Sequence, residues 1–493
     1  MRPMSDVPTV LGGFAAQVRH RPRAAALVYR GAEVSYGELH RRVLDAGGRL
    51  ARLGLDPGAV VAVVAAKSPD AIALILALRA KGHPVLLPPL DLPAATRTAL
   101  FATAGCRAVL APGAESPDLV TEPIDPAGHE PVDQPAEPAA FLLTTSGSTG
   151  LPKIVPLPAA AVDAFAAWAA ARFQIRPHRT VLNYAPLNFD LCLLDIWTTL
   201  AAGGRVVLVE AEQATRPARL HELLSRNRVG VVQAVPMLYE LLLEHGGTLP
   251  DATHVISTGD ALRARCLSRL PGLFPNARLY NLYGCTETND SFLHEIDPAA
   301  PLPVPIGRPI QGVSAVLVEP TGTALTGPGV GELYVSTPFQ TPGYLDATLT
   351  AAAFGPHPDG ADGRTYFHSG DLVRRHPDGT LTLEGRADFQ VKVRGVRVNT
   401  QEVERALLEH TAVAEAVVFA LPDPVTGSAL HAVVRRDDPR SLHSLAVRAH
   451  CAQRLPRPAI PTAIHLVDEP LPTTSTGKPD RTRIKRTYLE RQR

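Results

Sequence analysis

The sequence predicts a layered α/β fold. It has a large N-terminal domain of parallel sheets with helices, a β subdomain near its end, and a small α+β C-terminal domain. Three observations carry this. Between about residues 60 and 282, apolar runs of strand length alternate with segments of helical period, the pattern of parallel strands joined by helices. From Val313 the pattern changes to short strands punctuated by Gly and Pro. Past Gly385 a compact strand–helix–strand–strand–helix segment follows, so the expected domains are 1–387 and 388–493, with the boundary near Asp388.

Phe14 to Arg19 opens an amphipathic helix, and Ala25–Tyr29 with Glu33–Tyr36 alternate around Arg30-Gly31 like a hairpin. Tyr36 to Leu53 carries apolar residues at helical spacing and stops at Gly54. Val60 to Ala66 reads as a buried strand, and Ser68-Pro69-Asp70 starts the helix Ala71 to Arg79. Val85 to Leu87 is the next strand. Pro112 to Pro138 holds Pro, Asp and Glu with few large apolar residues, which predicts a surface loop. Strand Ala139 to Leu143, helix Ala159 to Phe173, strand Thr180 to Tyr184, helix Asp190 to Leu200 and strand Gly204 to Val209 follow. Helices at 220–226 and 237–244 then alternate with strands at 229–233, 254–257 and 278–282. The C-terminal segment predicts strand Phe389 to Val393, helix Thr400 to Leu408, strands Ala414 to Ala420 and Leu430 to Arg435, and helix Ser441 to Leu455.

The 493 residues carry 49 Lys and Arg against 48 Asp and Glu, with no block of one sign, which argues against nucleic acid or an anionic membrane as partner. Five scattered cysteines without a C-x-x-C predict neither a disulfide framework nor a zinc site. Met1 to Thr9 lacks a cationic-then-apolar signal, and apolar runs such as Ala71 to Leu78 are too short to span a bilayer. A soluble, cytoplasmic protein is expected.

The stretch from Phe141 to Lys153 holds Thr144, Thr145, Ser146, Gly147, Ser148, Thr149 and Gly150 directly behind a strand. Glycines let backbone N–H groups approach a ligand, and successive N–H groups form an anion-binding nest. The hydroxyls add donors and Lys153 adds positive charge, so the stretch suits a polyphosphate better than a flexible Ser/Gly linker. No Gly-Lys-Ser/Thr triplet follows, which excludes a P-loop. Polar or glycine residues also end other strands, at Asn188–Asp190, Thr258-Gly259-Asp260 and Asn281–Glu287. Ligands of open α/β sheets bind at such carboxyl ends.

Further segments complete an ordered series: Leu200–Gly204, Gly331–Tyr334, Gly343-Tyr344-Leu345, Ser369–Leu372, Gly385–Gly395 and Leu471–Arg481. With these motifs the chain resembles the adenylate-forming superfamily, and most of all the stand-alone adenylation domains of nonribosomal peptide synthetases. The resemblance spans nearly the whole chain. It implies ATP and Mg2+ as cofactors and two half-reactions, formation of an acyl-adenylate with release of pyrophosphate and then attack by a thiol. It places Thr145, Ser146, Gly147, Ser148, Thr149, Gly150 and Lys153 on the phosphates, Asn281 and Tyr283 on the adenine, and Gly259 among the ATP-binding residues. Thr286 would donate to the α-phosphate, Glu287 would hold the metal, and Asp371 would accept from the ribose with Arg386 nearby. Lys478 would bridge the carboxylate and α-phosphate. Asp388 matches the family's hinge, about which Lys478 leaves and the face with Lys392, Arg394 and Gly395 enters. Taken singly, Asp371 is an ordinary turn residue, Thr286-Glu287 an acidic helix start and Lys478 a solvated loop lysine. Their shared order outweighs that. The chain departs from the family at Val398–Glu402 and at Ser369, where Thr is usual.

Asp190 marks the subclass, because amino-acid-activating members pair an aspartate here with the substrate ammonium. A buried ammonium needs a counter-charge, although Asp190 also suits a helix N-cap. The side-chain pocket implied by the resemblance is Leu191, Leu194, Gln233, Ile256, Thr258, Leu282, Asp290 and Ser291. Its leucines resemble those of prolyl-activating members, while Gln233, Thr258, Asp290 and Ser291 favour a polar or basic amino acid. No Leu-Gly-Gly-x-Ser attachment site is present, so the expected thiol belongs to a separate phosphopantetheinylated carrier protein. The competing readings are an acyl- or aryl-CoA synthetase and a non-catalytic scaffold.

Overall fold

The computed structural model describes residues 9–490 apart from 91, 113–118, 123–138, 146–151, 300–301, 361, 394–395, 424–426, 438–441, 456 and 475–477. The chain divides into two compact units. One comprises Met1–Val316, Tyr334–His368 and Thr380–Thr382, the other Leu317–Leu333, Ser369–Gly379 and Leu383–Arg493.

The first unit contains two large sheets. The nine-stranded sheet runs Arg308–Pro309, Asn289–Glu295, Arg278–Cys285, His254–Thr258, Val231–Ala234, Thr180–Asn183, Arg205–Leu208, Ala25–Tyr29, Ala32–Ser35. The strands from Arg278–Cys285 to Ala25–Tyr29 are parallel and the outer ones antiparallel. The six-stranded sheet runs Leu119–Glu122, Cys106–Pro112, Val60–Val63, Val85–Leu86, Ala139–Thr145, Lys153–Pro158, again parallel inside and antiparallel at both edges. Helix Pro69–Ala80 is apolar around its whole circumference and buried almost throughout, so it joins one core with both sheets. Its start is fixed by Ser68, whose hydroxyl accepts from Ala71 N. Trp197 and Phe141 stack within the same core with centroids 5.4 Å apart.

Several expectations change. Leu119–Glu122 is a strand within the predicted surface loop, paired antiparallel with Cys106–Pro112. Lys153–Pro158, which is not among the predicted elements, is a strand despite Pro156 and Pro158. It returns as an edge strand, where missing N–H groups are tolerated. The expected helix Asp190 to Leu200 is instead a π-helical turn, Leu193–Thr198, followed by a short α turn, Thr199–Ala201. Its wide winding has a local cause. Thr198 and Thr199 donate their hydroxyls to Leu193 O and Leu194 O, at 2.7 and 3.2 Å. Thr286 and Glu287 do not open a helix; they occupy the turn between Arg278–Cys285 and Asn289–Glu295.

In the second unit, strands Val413–Asp423, Gly427–Arg436 and Ala463–Val467 form one sheet. Helices Thr400–Leu408 and Ser444–Ala452 pack into its core. The predicted strand at 389–393 is Gln390–Val393, and its hairpin partner Val396–Asn399, the strand Ala463–Val467 and the helix Arg481–Glu490 add to the predicted elements. No helix among the described residues is long and apolar enough to cross a membrane.

The hairpin at 278–295 depends on Gly284, where an added Cβ would lie 2.2 Å from Asn289 O and 2.6 Å from Asp290 Cα. Those are backbone atoms that cannot swing aside. Gly284→Ala is therefore expected to destabilise the first unit by about 1–3 kcal/mol, the usual overpacking range, read as a lower urea midpoint at unchanged m-value.

Candidate active site

The parallel strands end on one edge of the nine-stranded sheet, and their register sorts the expected pocket residues. Gln233 lies beside both Asn183 and Ile256, and Thr258 lies beside Leu282. Residues level in parallel strands share a face. Leu194, Ile256 and Leu282 belong to one buried cluster, with Leu191 packed against it. Gln233 is fully buried and neither atom of its amide has a partner. Such a group costs stability unless something satisfies it.

Asp190 and Thr286, assigned to different parts of the substrates, meet directly: Thr286 Oγ1 donates to Asp190 Oδ2 at 2.8 Å. The π-helical turn Leu193–Thr198 begins after Cys192, whose side chain does not cap it. Asp290 stands opposite Gly284 on the return strand. Burial, reinforced by the Asp190 carboxylate, pushes its carboxyl well above the ordinary range. Ser291 is fully buried, but its hydroxyl is turned back into the hairpin, 3.1 Å from Asn289 O and 3.2 Å from Thr288 Oγ1.

Glu287 is 7 % exposed and its Oε1 accepts from Tyr344 Oη at 2.7 Å. Thr341 N fixes the Glu287 carbonyl at 2.9 Å. The Lys153 ammonium lies 4.9 Å from the centroid of the same Tyr344 ring, a cation–π contact. A chain of contacts thus runs from the end of the hydroxyl-rich stretch to Glu287. Tyr344 was visible in the sequence only as part of a motif; its hydroxyl gives it this place. Lys153 pairs with Thr145 across the hairpin. Ser146, Gly147, Ser148, Thr149 and Gly150 lie outside the described residues. Tyr283 meets Phe292 edge-on at 5.7 Å, and Asn281 Nδ2 donates to Pro305 O at 2.8 Å. Gly259 takes φ +79°, a left-handed turn that favours glycine.

The second unit brings Asp371 and Arg386 together at 2.9 Å, and Arg386 Nη1 also donates to Ser369 O at 3.0 Å. Ser369, the departure from Thr, donates to Leu333 O at 2.6 Å and accepts from Asp371 N at 3.0 Å, so its hydroxyl braces the turn. Lys478 is exposed, and its carbonyl accepts from Thr474 N at 2.8 Å. Just beyond it, Arg481 pairs with Glu404, whose Oε1 also accepts from Val418 N at 2.6 Å. Asp388 falls in the 3-10 turn Ala387–Phe389 and Lys392 in strand Gln390–Val393, their side chains lying outside the description. Arg394 and Gly395 lie outside the described residues.

Residues 14–345 match the family model of the AMP-binding enzymes, and residues 402–478 match that of the AMP-binding enzyme C-terminal domain. The chain belongs to the AMP-binding enzyme family. It is an adenylate-forming, ATP-using ligase. It is 31 % identical over 492 residues to an L-proline–[L-prolyl-carrier protein] ligase of Pseudomonas fluorescens, covering 93 % of this chain and 95 % of that one. A ligase of the same name from Streptomyces coelicolor is 33 % identical, with 91 % and 84 % covered. The phenyloxazoline synthase MbtB of a Mycobacterium species is 34 % identical over 491 residues, but this chain spans only 41 % of its length. Among solved structures, Klebsiella oxytoca NpsA in complex with 3-hydroxyanthranilyl-AMSN shares the fold at a TM-score of 0.81 and 24 % identity, over 98 % of this chain and 100 % of that one.

The raised Asp290 carboxyl gives a pH signature. The folded state holds this proton at pH values where the unfolded chain has lost it, so the group's stabilising contribution is full below the ordinary carboxylate range. It declines as pH rises through the folded value. Asp290→Asn removes that ionisation, so its Tm relative to the parent is expected to rise with pH, by a few degrees near neutrality. Thermal melts of both proteins between pH 4 and 8 test this.

Proposed function

We propose that this chain activates an amino acid as its aminoacyl-adenylate and passes it to the phosphopantetheine thiol of a separate carrier protein, in cytoplasmic nonribosomal peptide biosynthesis. The observation that carries the reading is the contact between Asp190 and Thr286. It sets a counter-charge for an α-ammonium next to a donor for the α-phosphate. An acyl- or aryl-CoA synthetase has no use for such an aspartate.

In the first step a carboxylate oxygen of the amino acid attacks the α-phosphorus of ATP. The bond to the β-phosphate oxygen breaks and pyrophosphate leaves. Lys153 and the hydroxyl-rich stretch hold the departing phosphates, Thr286 turns its one hydroxyl proton from Asp190 to the α-phosphate once the substrate ammonium takes its place, and Lys478 neutralises charge between carboxylate and phosphate. Glu287 is a hard anionic donor, held in place by Tyr344, and would hold a magnesium ion. When bound, that ion supplies charge neutralisation on the polyphosphate. Asn281 and Tyr283 receive the adenine, with Gly259 among the ATP-binding residues, and Asp371, oriented by Arg386, accepts from the ribose hydroxyls. In the second step the thiolate attacks the acyl carbon, AMP leaves, and the thiol proton passes to solvent. Between the steps the small domain, 388–493, turns about Asp388 relative to the core, 1–387. Lys478 is then replaced by the face carrying Lys392, Arg394 and Gly395.

The unpartnered Gln233 amide and Asp290 favour a polar or basic side chain among Leu191, Leu194, Ile256, Thr258, Leu282 and Ser291. A proline-like substrate is the second reading, favoured by the names of the two relatives that match along most of their length.

Pyrophosphate exchange with a panel of amino acids including proline, threonine and diamino acids is expected to show strong dependence on one or two of them. No acid-dependent exchange at all would make the chain a scaffold, and fast acyl-CoA formation a CoA synthetase. Lys478→Ala is expected to slow adenylation by about 10²–10³-fold, as for loss of a transition-state donor, while thiolation from preformed adenylate survives. Equal loss in both steps would remove the hinge from the scheme. Asp290→Ala is expected to shift the substrate profile more than the rate with the preferred acid; an unaltered profile would put Asp290 outside the pocket.

A further inference from the structure

Lys67 follows the strand Val60–Val63 and precedes the Ser68 cap of helix Pro69–Ala80. Its ammonium crosses to the other large sheet, where it donates to three consecutive carbonyls: Asn183 O at 3.0 Å, Tyr184 O at 2.8 Å and Ala185 O at 3.1 Å. All three ammonium protons are used. These carbonyls begin the turn that leaves strand Thr180–Asn183 and ends at Asp190. The far side of the turn is tied by Cys192, whose thiol lies 3.1 Å from Pro186 O and is fully buried. Phe189 N and Cys192 N close the turn on Pro186 O and Phe189 O, each at 3.1 Å. The buried Asp195 accepts from Asn183 Nδ2 at 3.3 Å on the same side, and burial pushes its carboxyl well above the ordinary range. Burial lowers the Lys67 ammonium to about 8, with Cys192 and Asp195 opposing the shift.

A charged group desolvated merely to pack would be a poor choice, because methionine would fill the space without the penalty. Three carbonyls of one turn, all aimed at one ammonium, have a different logic. Left alone they would repel one another and open the turn. We propose that Lys67 is a positioning residue for the substrate-ammonium site: it draws the carbonyls of residues 183–185 together and so sets where the Asp190 carboxylate stands beside Thr286. The inference rests on the amino-acid reading of Asp190. It adds a residue some 120 positions upstream, on the other sheet, that touches neither substrate.

The test uses the full chain carrying Lys67→Met, which keeps the volume and loses the donors, and Lys67→Arg, which keeps charge and donors. In pyrophosphate exchange, Lys67→Met is expected to raise the amino-acid KM by about 10–100-fold, the weight of one or two charged hydrogen bonds, with ATP KM within about twofold. Lys67→Arg is expected to restore most of the loss. A parallel rise in both KM values, or none, would overturn the proposal. A second readout needs no substrate. Native thiol labelling, located by mass spectrometry, is expected to reach Cys192 at least about tenfold faster in Lys67→Met, while the buried Cys106, Cys266 and Cys451 stay protected. Unchanged Cys192 labelling, or equal exposure of all four thiols, would also overturn it. If the parent chain gives no exchange with any amino acid, the proposed function fails, and labelling still decides whether Lys67 holds the turn.

Discussion

Buried carboxyl groups are the constraint on which this end of the nine-stranded sheet depends. Asp190, Asp195 and Asp290 interact within a region that admits little water, where a carboxylate is expensive. Asp190 accepts a hydrogen bond from Thr286, and Asp195 accepts one from the Asn183 amide with Lys67 nearby, while burial drives both Asp195 and Asp290 toward their protonated forms. On the amino-acid reading, an incoming ammonium is the one component that lowers the energy of the whole group. The site is thus built to be incomplete without its substrate, and the unpartnered Gln233 amide belongs to the same account.

On the proposed reading, phosphate is held without the usual helix N-terminus, because the strand Lys153–Pro158 returns beside Ala139–Thr145. The positive charge at its start is a side chain, Lys153, set against the Tyr344 ring. Tyr344 also holds Glu287, so one ring separates the Lys153 ammonium from the Glu287 carboxylate. Contact between Lys153 and Glu287 would quench both.

Much of the alternation was legible in the sequence, because buried parallel strands are continuous apolar runs and the connecting helices have caps such as Ser68. The motif residues were legible as an ordered series, and Asp371 with Arg386, or Leu194 with Ile256 and Leu282, are indeed neighbours. What could not be read is where chemistry overrides pattern. Periodicity cannot distinguish a π turn from an α turn, since the difference lies in where the Thr198 and Thr199 hydroxyls go. The prolines of 152–158 hide an edge strand. Ser291 enters the expected pocket only through the resemblance, and its hydroxyl contacts Asn289 O and Thr288 Oγ1, in a hairpin with a bulge at Tyr283/Gly284 and a left-handed Asn289. Lys67 carries only a faint signal, a single cation between an apolar strand and a helix cap. Its three carbonyl partners lie more than a hundred residues away.

The hairpin closed by Gly284 carries Thr286, Glu287 and Asp290 within five consecutive positions, on a backbone too tightly apposed to admit one methyl group. On the proposed reading, selectivity and phosphate chemistry are therefore mechanically coupled here. Redesign of the accepted acid by exchanging Asp290 alone would inherit the geometry of the neighbouring Glu287, and a replacement that moves the strand would move the Glu287 carboxylate with it. The natural unit of transplantation between relatives is the whole hairpin from Arg278 to Glu295, not the single pocket residue.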